Sequence, residues 1–284
     1  MAGTPTVALL GVGTMGAGMA RNIAGAGLPV RVWNRTADKA RVLEDVAEVA
    51  ASVAEAVDGA DVVLTMLYDA NSVVETMEQA RGHLGPETIW LQQSTVGVEG
   101  SDRMISLANE LGVALVDAPV LGTRKPAEDG ALVVLASGPE DTHERLAPVF
   151  EAIGSRTMWV GEAGAGSRLK LAANAWVATV LEGVADSLAL TRDLGLDPAL
   201  FLEAIAGGAL DAPYVQIKGN AMLKGDYTPS FALAAVLKDV DLILAAAKGA
   251  GTGLGAMPGV RDHLARAVEA GHGDLDMAAT YLEH

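Results

Sequence analysis

Lys170 and Asn174 stand four residues apart in Gly164-Ala165-Gly166-Ser167-Arg168-Leu169-Lys170-Leu171-Ala172-Ala173-Asn174, so a helix places both on one face. The rest of that helix is apolar, and a lysine beside a carboxamide on an apolar helix marks a buried polar site. A lysine ammonium can give a proton to an oxygen on which negative charge develops, or stabilise that charge. Taken alone, Lys170 is more simply a lysine at a helix start with its head in water. A second signature lies near residue 10. The apolar run Val7-Ala8-Leu9-Leu10 leads into Gly11-Val12-Gly13-Thr14-Met15-Gly16, and a helical stretch follows to roughly Ala24. Glycines at this spacing suit a tight turn, close backbone approach to a pyrophosphate, and tight helix–strand packing. The helix N-terminus offers free N–H groups to that anion. A second strand, Val30 to Trp33, ends in Asn34-Arg35-Thr36, where an NAD site usually carries an acid for the ribose 2′-hydroxyl. An acid would repel a 2′-phosphate, whereas a guanidinium and a hydroxyl can bind it, so the expected cofactor is NADP(H). Its candidate ligands are Gly11, Gly13, Thr14, Met15, Gly16, Asn34, Arg35 and Thr36, with the Met15 and Met19 side chains assigned to helix–sheet packing.

These residues need a scaffold. From residue 7 to about 160, short apolar strands alternate with helical stretches. Val62–Met66, Ile89–Leu91, Ala114–Val116, Leu132–Leu135 and Thr157–Val160 read as buried strands, with helices such as Asn71–Ala80 and Gly100–Leu111 between them. The alternation predicts an α/β dinucleotide-binding domain over 1–162, a doubly wound, mostly parallel sheet with helices on both faces. After Gly166 the strand signals cease. Residues from Ser167 to about Leu194 read as one long helix, interrupted by Gly183 and apolar on most faces. Such a helix should join the two domains and be covered from several sides. Helices over Pro198–Ala206, Asp211–Met222, Leu233–Lys248 and Val260–Ala270 make 163–281 an all-helical domain. Leu282-Glu283-His284 look like the remnant of an expression tag.

Composition excludes several classes. Half of the residues are hydrophobic but only 4% are aromatic, so the core must be mostly Ala, Val and Leu. A net charge of −16 opposes binding to nucleic acid or an anionic membrane, both of which need a basic footprint, and is read as solubility. The absence of cysteine excludes disulfides, thiolate nucleophiles and Cys-zinc sites, and no metal site is expected. The first strand begins near Val7, too early to follow a signal peptide, and no apolar run is long enough to span a bilayer. The expectation is a cytoplasmic protein.

Four motifs, in order along nearly the whole chain, resemble the β-hydroxyacid dehydrogenase family, whose members include 3-hydroxyisobutyrate dehydrogenases and glyoxylate/succinic semialdehyde reductases. Gly11 to Gly16 is similar to its dinucleotide fingerprint, Asp117-Ala118-Pro119-Val120-Leu121-Gly122 to its substrate-binding motif, Gly164 to Asn174 to its catalytic motif, and Lys238-Asp239 to its late cofactor motif. Lys125-Pro126-Ala127-Glu128-Asp129-Gly130 most resembles the glyoxylate/succinic semialdehyde reductase branch, whose preference for NADPH fits Asn34-Arg35-Thr36. The resemblance implies Lys170 as general acid and Asn174 orienting it or the substrate. It implies Thr95 beside nicotinamide and substrate, and Met66 and Leu67 on the adenosine and ribose side of the cleft. Lys238 and Asp239 would reach the cofactor from the helical domain, Asp239 also serving the substrate, and Phe231 would wall the pocket. Plainer roles compete: Thr95 capping the next turn, Phe231 in the core, Asp239 as a solvated helix residue. Family members pair through their helical domains, which implies a homodimer or a tetramer.

The substrate motif departs from the family. Its usual serine is Leu121 here, and its final glycine is Thr123. Leucine cannot donate a hydrogen bond, so one contact to a substrate carboxylate is missing. The N–H groups of Gly122 and Thr123 can still hold an anion, with Arg124 and Lys125 adding positive charge nearby or facing solvent. Either affinity for oxo-acids is reduced, or the pocket favours a less polar carbonyl. A cyclic imine is a third candidate, because imine reductases share this architecture, yet the Lys170 cation would repel an iminium. The leading expectation is an NADPH-dependent reductase of a small aldehyde or oxo-acid. The alternatives are an imine reductase or a reductase of uncharged carbonyls. A non-catalytic NADPH-binding protein on the same scaffold is disfavoured, because it has no need of Lys170, Asn174, Thr95 and Asp239 together.

Overall fold

The structure, a computed structural model, describes residues 4–284. The chain divides into two compact units, Met1–Lys170 and Leu171–His284.

In the first unit, strands and helices alternate as the sequence predicts: β1 (Val7–Leu10), α1 (Gly16–Gly25), β2 (Val30–Trp33), α2 (Ala37–Arg41), β3 (Glu48–Val49), α3 (Val53–Val57), β4 (Val62–Thr65), α4 (Ala70–Gln79), β5 (Ile89–Gln92), α5 (Gly97–Leu111) and β6 (Ala114–Asp117). The six strands are all parallel, in the order β3-β2-β1-β4-β5-β6. The winding reverses between β1 and β4, and ligand crevices open beyond the C-terminal strand ends at such a reversal. Leu9, Val32, Leu64 and Leu91 are buried on one face, Ala8, Val63 and Trp90 on the other. Burial on both faces explains why these strands read as continuous apolar runs rather than alternations. Local signals fix the helix ends. Ser52 Oγ accepts the Glu55 N–H at 3.1 Å to start α3, and Asp69 Oδ1 accepts the Ser72 N–H at 2.8 Å to start α4. Gly112, with φ of 71°, ends α5 in the left-handed region.

The strands near 132 and 157 do not extend this sheet. β7 (Val120–Leu121), α6 (Arg124–Glu128), β8 (Leu132–Ala136), α7 (His143–Ile153) and β9 (Gly154–Trp159) build a separate three-stranded sheet, ordered β7-β8-β9. Here β7 runs antiparallel and β9 parallel to β8. Val120, Leu132 and Val134 join the same core as Leu9 and Leu64, so the apolar pattern of these strands is identical whichever sheet they enter.

The long helix α8 (Ala165–Asp193) begins in the first unit and continues unbroken through Gly183. The second unit adds α9 (Ala199–Ile205), α10 (Pro213–Lys224), α11 (Leu233–Gly249) and α12 (Met257–Ala267). An isolated bridge pairs Ala232 with Asp276. The last residues, read from sequence as a tag remnant outside the fold, enter a 3-10 helix over Met277–Glu283, and the His284 ring packs 4.1 Å from that of His263. The sequence also predicts α8 to be covered from several sides. Leu171, Ala178, Leu181, Ala185 and Leu188 are buried, but Trp176 is 70% and Leu190 61% exposed. Positions 169, 176, 183 and 190 lie seven apart, so they share the face opposite the buried stripe, and the described residues do not cover it. Among the described residues, no helix is long and apolar enough to cross a membrane.

Candidate active site

The turn after β1 can be built only from glycine at two places. Gly11 has φ of 115°, and a Cβ there would stand 2.2 Å from the Met66 carbonyl oxygen. A Cβ on Gly16 would stand 2.0 Å from the Gly11 carbonyl oxygen, so α1 packs directly on the turn. Around the Cβ position of Gly13 nothing lies within 4 Å, which leaves that stretch of backbone open to a ligand. No side chain caps the N-terminus of α1. A close turn, an open backbone and an uncapped helix start fit a pyrophosphate.

Beyond β2, Asn34 is committed to the backbone on both sides. Its Oδ1 accepts the Val12 N–H at 3.0 Å and its Nδ2 donates to the Thr36 carbonyl at 2.9 Å. Arg35 is exposed and forms no ion pair with any described residue. The ends of β4 and β5 are joined by a buried polar network. Ser94 Oγ accepts the Leu67 N–H at 2.8 Å, Gln92 Oε1 accepts the Ser94 N–H at 2.7 Å, and Gln92 Nε2 donates to the Ser94 carbonyl at 2.8 Å. Met66 and Leu67 pack against opposite faces of the sheet beside Gly11. Thr95 follows directly on this network, and the cap position of α5 falls on Val96 rather than Thr95. Sequence reasoning passed over Gln92 and Ser94, although two polar residues closing a buried strand signal a hydrogen-bonded role.

Lys170 is buried, and its Nζ donates to the Val120 carbonyl at 2.7 Å. The substrate-type motif therefore touches the lysine through its backbone. Leu121, half-buried, pairs with Val133 in the small sheet. Gly122 has φ of 126°, and a Cβ there would meet Leu132 Cδ2 at 2.8 Å. Thr123 follows at the start of α6. Arg124 and Lys125 are exposed and paired one turn along with Glu128 and Asp129, so their charge is neutralised on α6 itself. Asp117, at the end of β6, is buried beneath the start of α8. Burial pushes its carboxyl above the usual range, against hydrogen bonds from Ser167 and Ser137 that pull it down.

In the second unit Asn174, Asp239 and Lys238 form one cluster. Asn174 Nδ2 donates to Asp239 Oδ2 at 2.7 Å, and Lys238 Nζ meets Asp239 Oδ1 at 2.6 Å. Asp239 is buried, which removes its reading as a solvated helix residue. Phe231 is partly buried, and its N–H reaches Asp276 Oδ2 at 3.3 Å. Asp276 also accepts the Ser230 N–H and hydroxyl at 2.9 and 2.7 Å and pairs with Lys218 at 2.6 Å. Burial raises the Asp276 carboxyl, but Lys218, the Ala278 N–H and Ser230 outweigh it and hold the group below its ordinary value. Nothing in the sequence pattern singled out Lys218 or Asp276, which lie on different elements.

Residues 6–161 match the family described as the NAD binding domain of 6-phosphogluconate dehydrogenase. Residues 164–282 match that described as NAD-binding of NADP-dependent 3-hydroxyisobutyrate dehydrogenase. Glyoxylate/succinic semialdehyde reductase 1 of Arabidopsis thaliana is 31% identical, over 96% of either chain. The chloroplastic reductase 2 of that plant is 33% identical over 87% of this chain and 70% of its own. Among solved structures, the 3-hydroxyisobutyrate dehydrogenase of Mycobacterium tuberculosis with L-serine is 30% identical, with a TM-score of 0.88 over 99% of both chains. An imine reductase from Pseudomonas sp., at 20% identity and a TM-score of 0.66, shares the fold.

Proposed function

The chain belongs to the β-hydroxyacid dehydrogenase family, on its glyoxylate/succinic semialdehyde reductase branch, and is an NAD(P)-dependent oxidoreductase; from that premise we propose that it uses NADPH to reduce a small aldehyde or oxo-acid, with Lys170 as the general acid. The observation that carries this reading is the buried Lys170 ammonium held on the Val120 carbonyl, inside the substrate-type motif. The Gly11–Gly16 turn would hold NADPH, which when bound would supply the hydride that reduces the carbonyl carbon. Arg35 and Thr36 take its 2′-phosphate, Met66 and Leu67 line its adenosine and ribose side, and Lys238 adds a cofactor contact. Thr95 stands beside nicotinamide and substrate. Lys170 Nζ gives its proton to the carbonyl oxygen as charge develops there, turning an aldehyde into a primary alcohol. The amine left behind regains a proton from water. Asn174, fixed by Asp239, orients lysine or substrate, Asp239 and Phe231 bound the substrate, and the N–H groups of Gly122 and Thr123 receive its carboxylate.

Leu121 favours a second reading, in which the substrate is an uncharged carbonyl or a cyclic imine. Such a substrate needs no donor where the family motif has serine. The lysine cation weighs against the imine. We further place a second copy of the chain on the exposed face of α8 around Trp176 and Leu190, an apolar stripe that needs cover.

The test is NADPH oxidation, followed by absorbance, against glyoxylate, succinic semialdehyde, uncharged aldehydes and a cyclic imine. Turnover of the two acids is expected. Turnover only of uncharged aldehydes or the imine would replace the first reading with the second.

A further inference from the structure

We propose that Asp117 is a positioning residue for the reaction: it grips the first turn of α8 and so fixes where Lys170 stands against Val120. The inference rests on Lys170 acting as the acid. Asp117 is 2% exposed, and no cationic side chain among the described residues is hydrogen-bonded to its carboxylate. The start of α8 takes up that carboxylate instead. Oδ2 accepts the Ser167 N–H at 2.8 Å and Oδ1 accepts the Ser167 hydroxyl at 2.7 Å. Ser137, bridged to Asp117 across antiparallel backbone, completes the grip. Its Oγ accepts the Gly166 N–H at 2.9 Å and donates to the Asp117 carbonyl at 2.9 Å. Two successive N–H groups that a helix start cannot satisfy internally thus end on residues 117 and 137. The helix dipole favours the negative charge there.

Gly166 makes the approach possible, since a Cβ at that position would stand 2.2 Å from the Leu135 carbonyl oxygen and 2.8 Å from that of Asp117. Three residues after Ser167, Lys170 Nζ reaches the carbonyl of Val120, itself three residues after Asp117. The backbone of the helix and the head of its lysine are therefore both referenced to one short segment, 117–120. A buried carboxylate without a cation is costly, and an apolar residue would end β6 as well as the preceding Val116 continues it. The feature that requires the carboxylate is the helix that carries the lysine.

The experiment compares Asp117→Ala, Asp117→Asn, Ser167→Ala and Lys170→Ala in the full chain. It measures kcat on the best substrate of the panel, NADPH affinity by calorimetry, and hydrogen exchange over residues 165–171. For Asp117→Ala the expected loss in kcat is about 10- to 100-fold, the effect of a misplacement of roughly 1 Å. Exchange in the first turn of α8 should rise while NADPH affinity stays unchanged. Asp117→Asn should regain most of the rate, because a carboxamide can accept the Ser167 N–H and donate to its hydroxyl. Wild-type kcat in Asp117→Ala, beside an inactive Lys170→Ala, overturns the proposal and leaves the acid assignment standing. An active Lys170→Ala overturns both. Should Asp117→Ala not fold, Ser167→Ala decides: wild-type rate and exchange in that variant contradict the grip.

Discussion

The Asn34 carboxamide accepts the N–H of Val12 at 3.0 Å, tying the end of β2 to the glycine turn. Its amide nitrogen is spent on the Thr36 carbonyl at 2.9 Å. Asn34 thus ties the two loops together, and in the proposed NADPH site this leaves recognition of the 2′-phosphate to Arg35 and Thr36. An aspartate at this position would keep the Val12 contact but set a second oxygen against the Thr36 carbonyl. Asn34→Asp should therefore raise KM for NADH as well as for NADPH, and more for NADPH because an acid also repels its 2′-phosphate; an unchanged KM for NADH would contradict the bracing role.

Arg35→Ala should raise KM for NADPH by about 10- to 100-fold, the worth of a hydrogen bond to a charged group, and change KM for NADH little. Equal loss for both cofactors would remove Arg35 from the 2′-phosphate.

Leu121→Ser restores a donor beside the Gly122 and Thr123 amides. We expect kcat/KM for glyoxylate or succinic semialdehyde to rise by about 5- to 10-fold, the value of one modest hydrogen bond. An unchanged value would mean that the substrate carboxylate is held elsewhere.

Lys218 and Asp276 are an ion pair buried in the helical unit. Removing one partner strands the other, so Asp276→Ala should cost about 3–5 kcal/mol in denaturant unfolding. The folded-state pKa of Asp276 lies below its unfolded value of 3.8. Its contribution is then fully present above that value and is lost as pH falls through the depressed folded pKa. Stability of the wild type should fall more steeply than that of Asp276→Ala in this acid window; parallel curves would show that the pair contributes nothing.

The parallel sheet was legible because strands buried on both faces carry unbroken apolar runs, as in Val7–Leu10 and Val62–Thr65. The two-residue strands Glu48–Val49 and Val120–Leu121 were not, since two residues hold no period. Nor could apolarity tell that Leu132–Ala136 enters a second sheet, because sheet membership is a matter of partners far along the chain. The Lys170 and Asn174 spacing places two candidate site residues on one helical face from sequence alone. The partners of that pair were out of reach, for Val120 and Asp239 lie 50 and 65 residues away. From its residue type Asn34 reads as a cofactor contact, and only its geometry reveals the brace.

The role of Lys170 is tested most directly by pre-steady-state and steady-state turnover of Lys170→Ala beside its NADPH affinity. Loss of a general acid predicts a kcat lower by about 100- to 10,000-fold with NADPH binding intact. A variant that binds NADPH and turns over at near the wild-type rate would contradict the role given to Lys170.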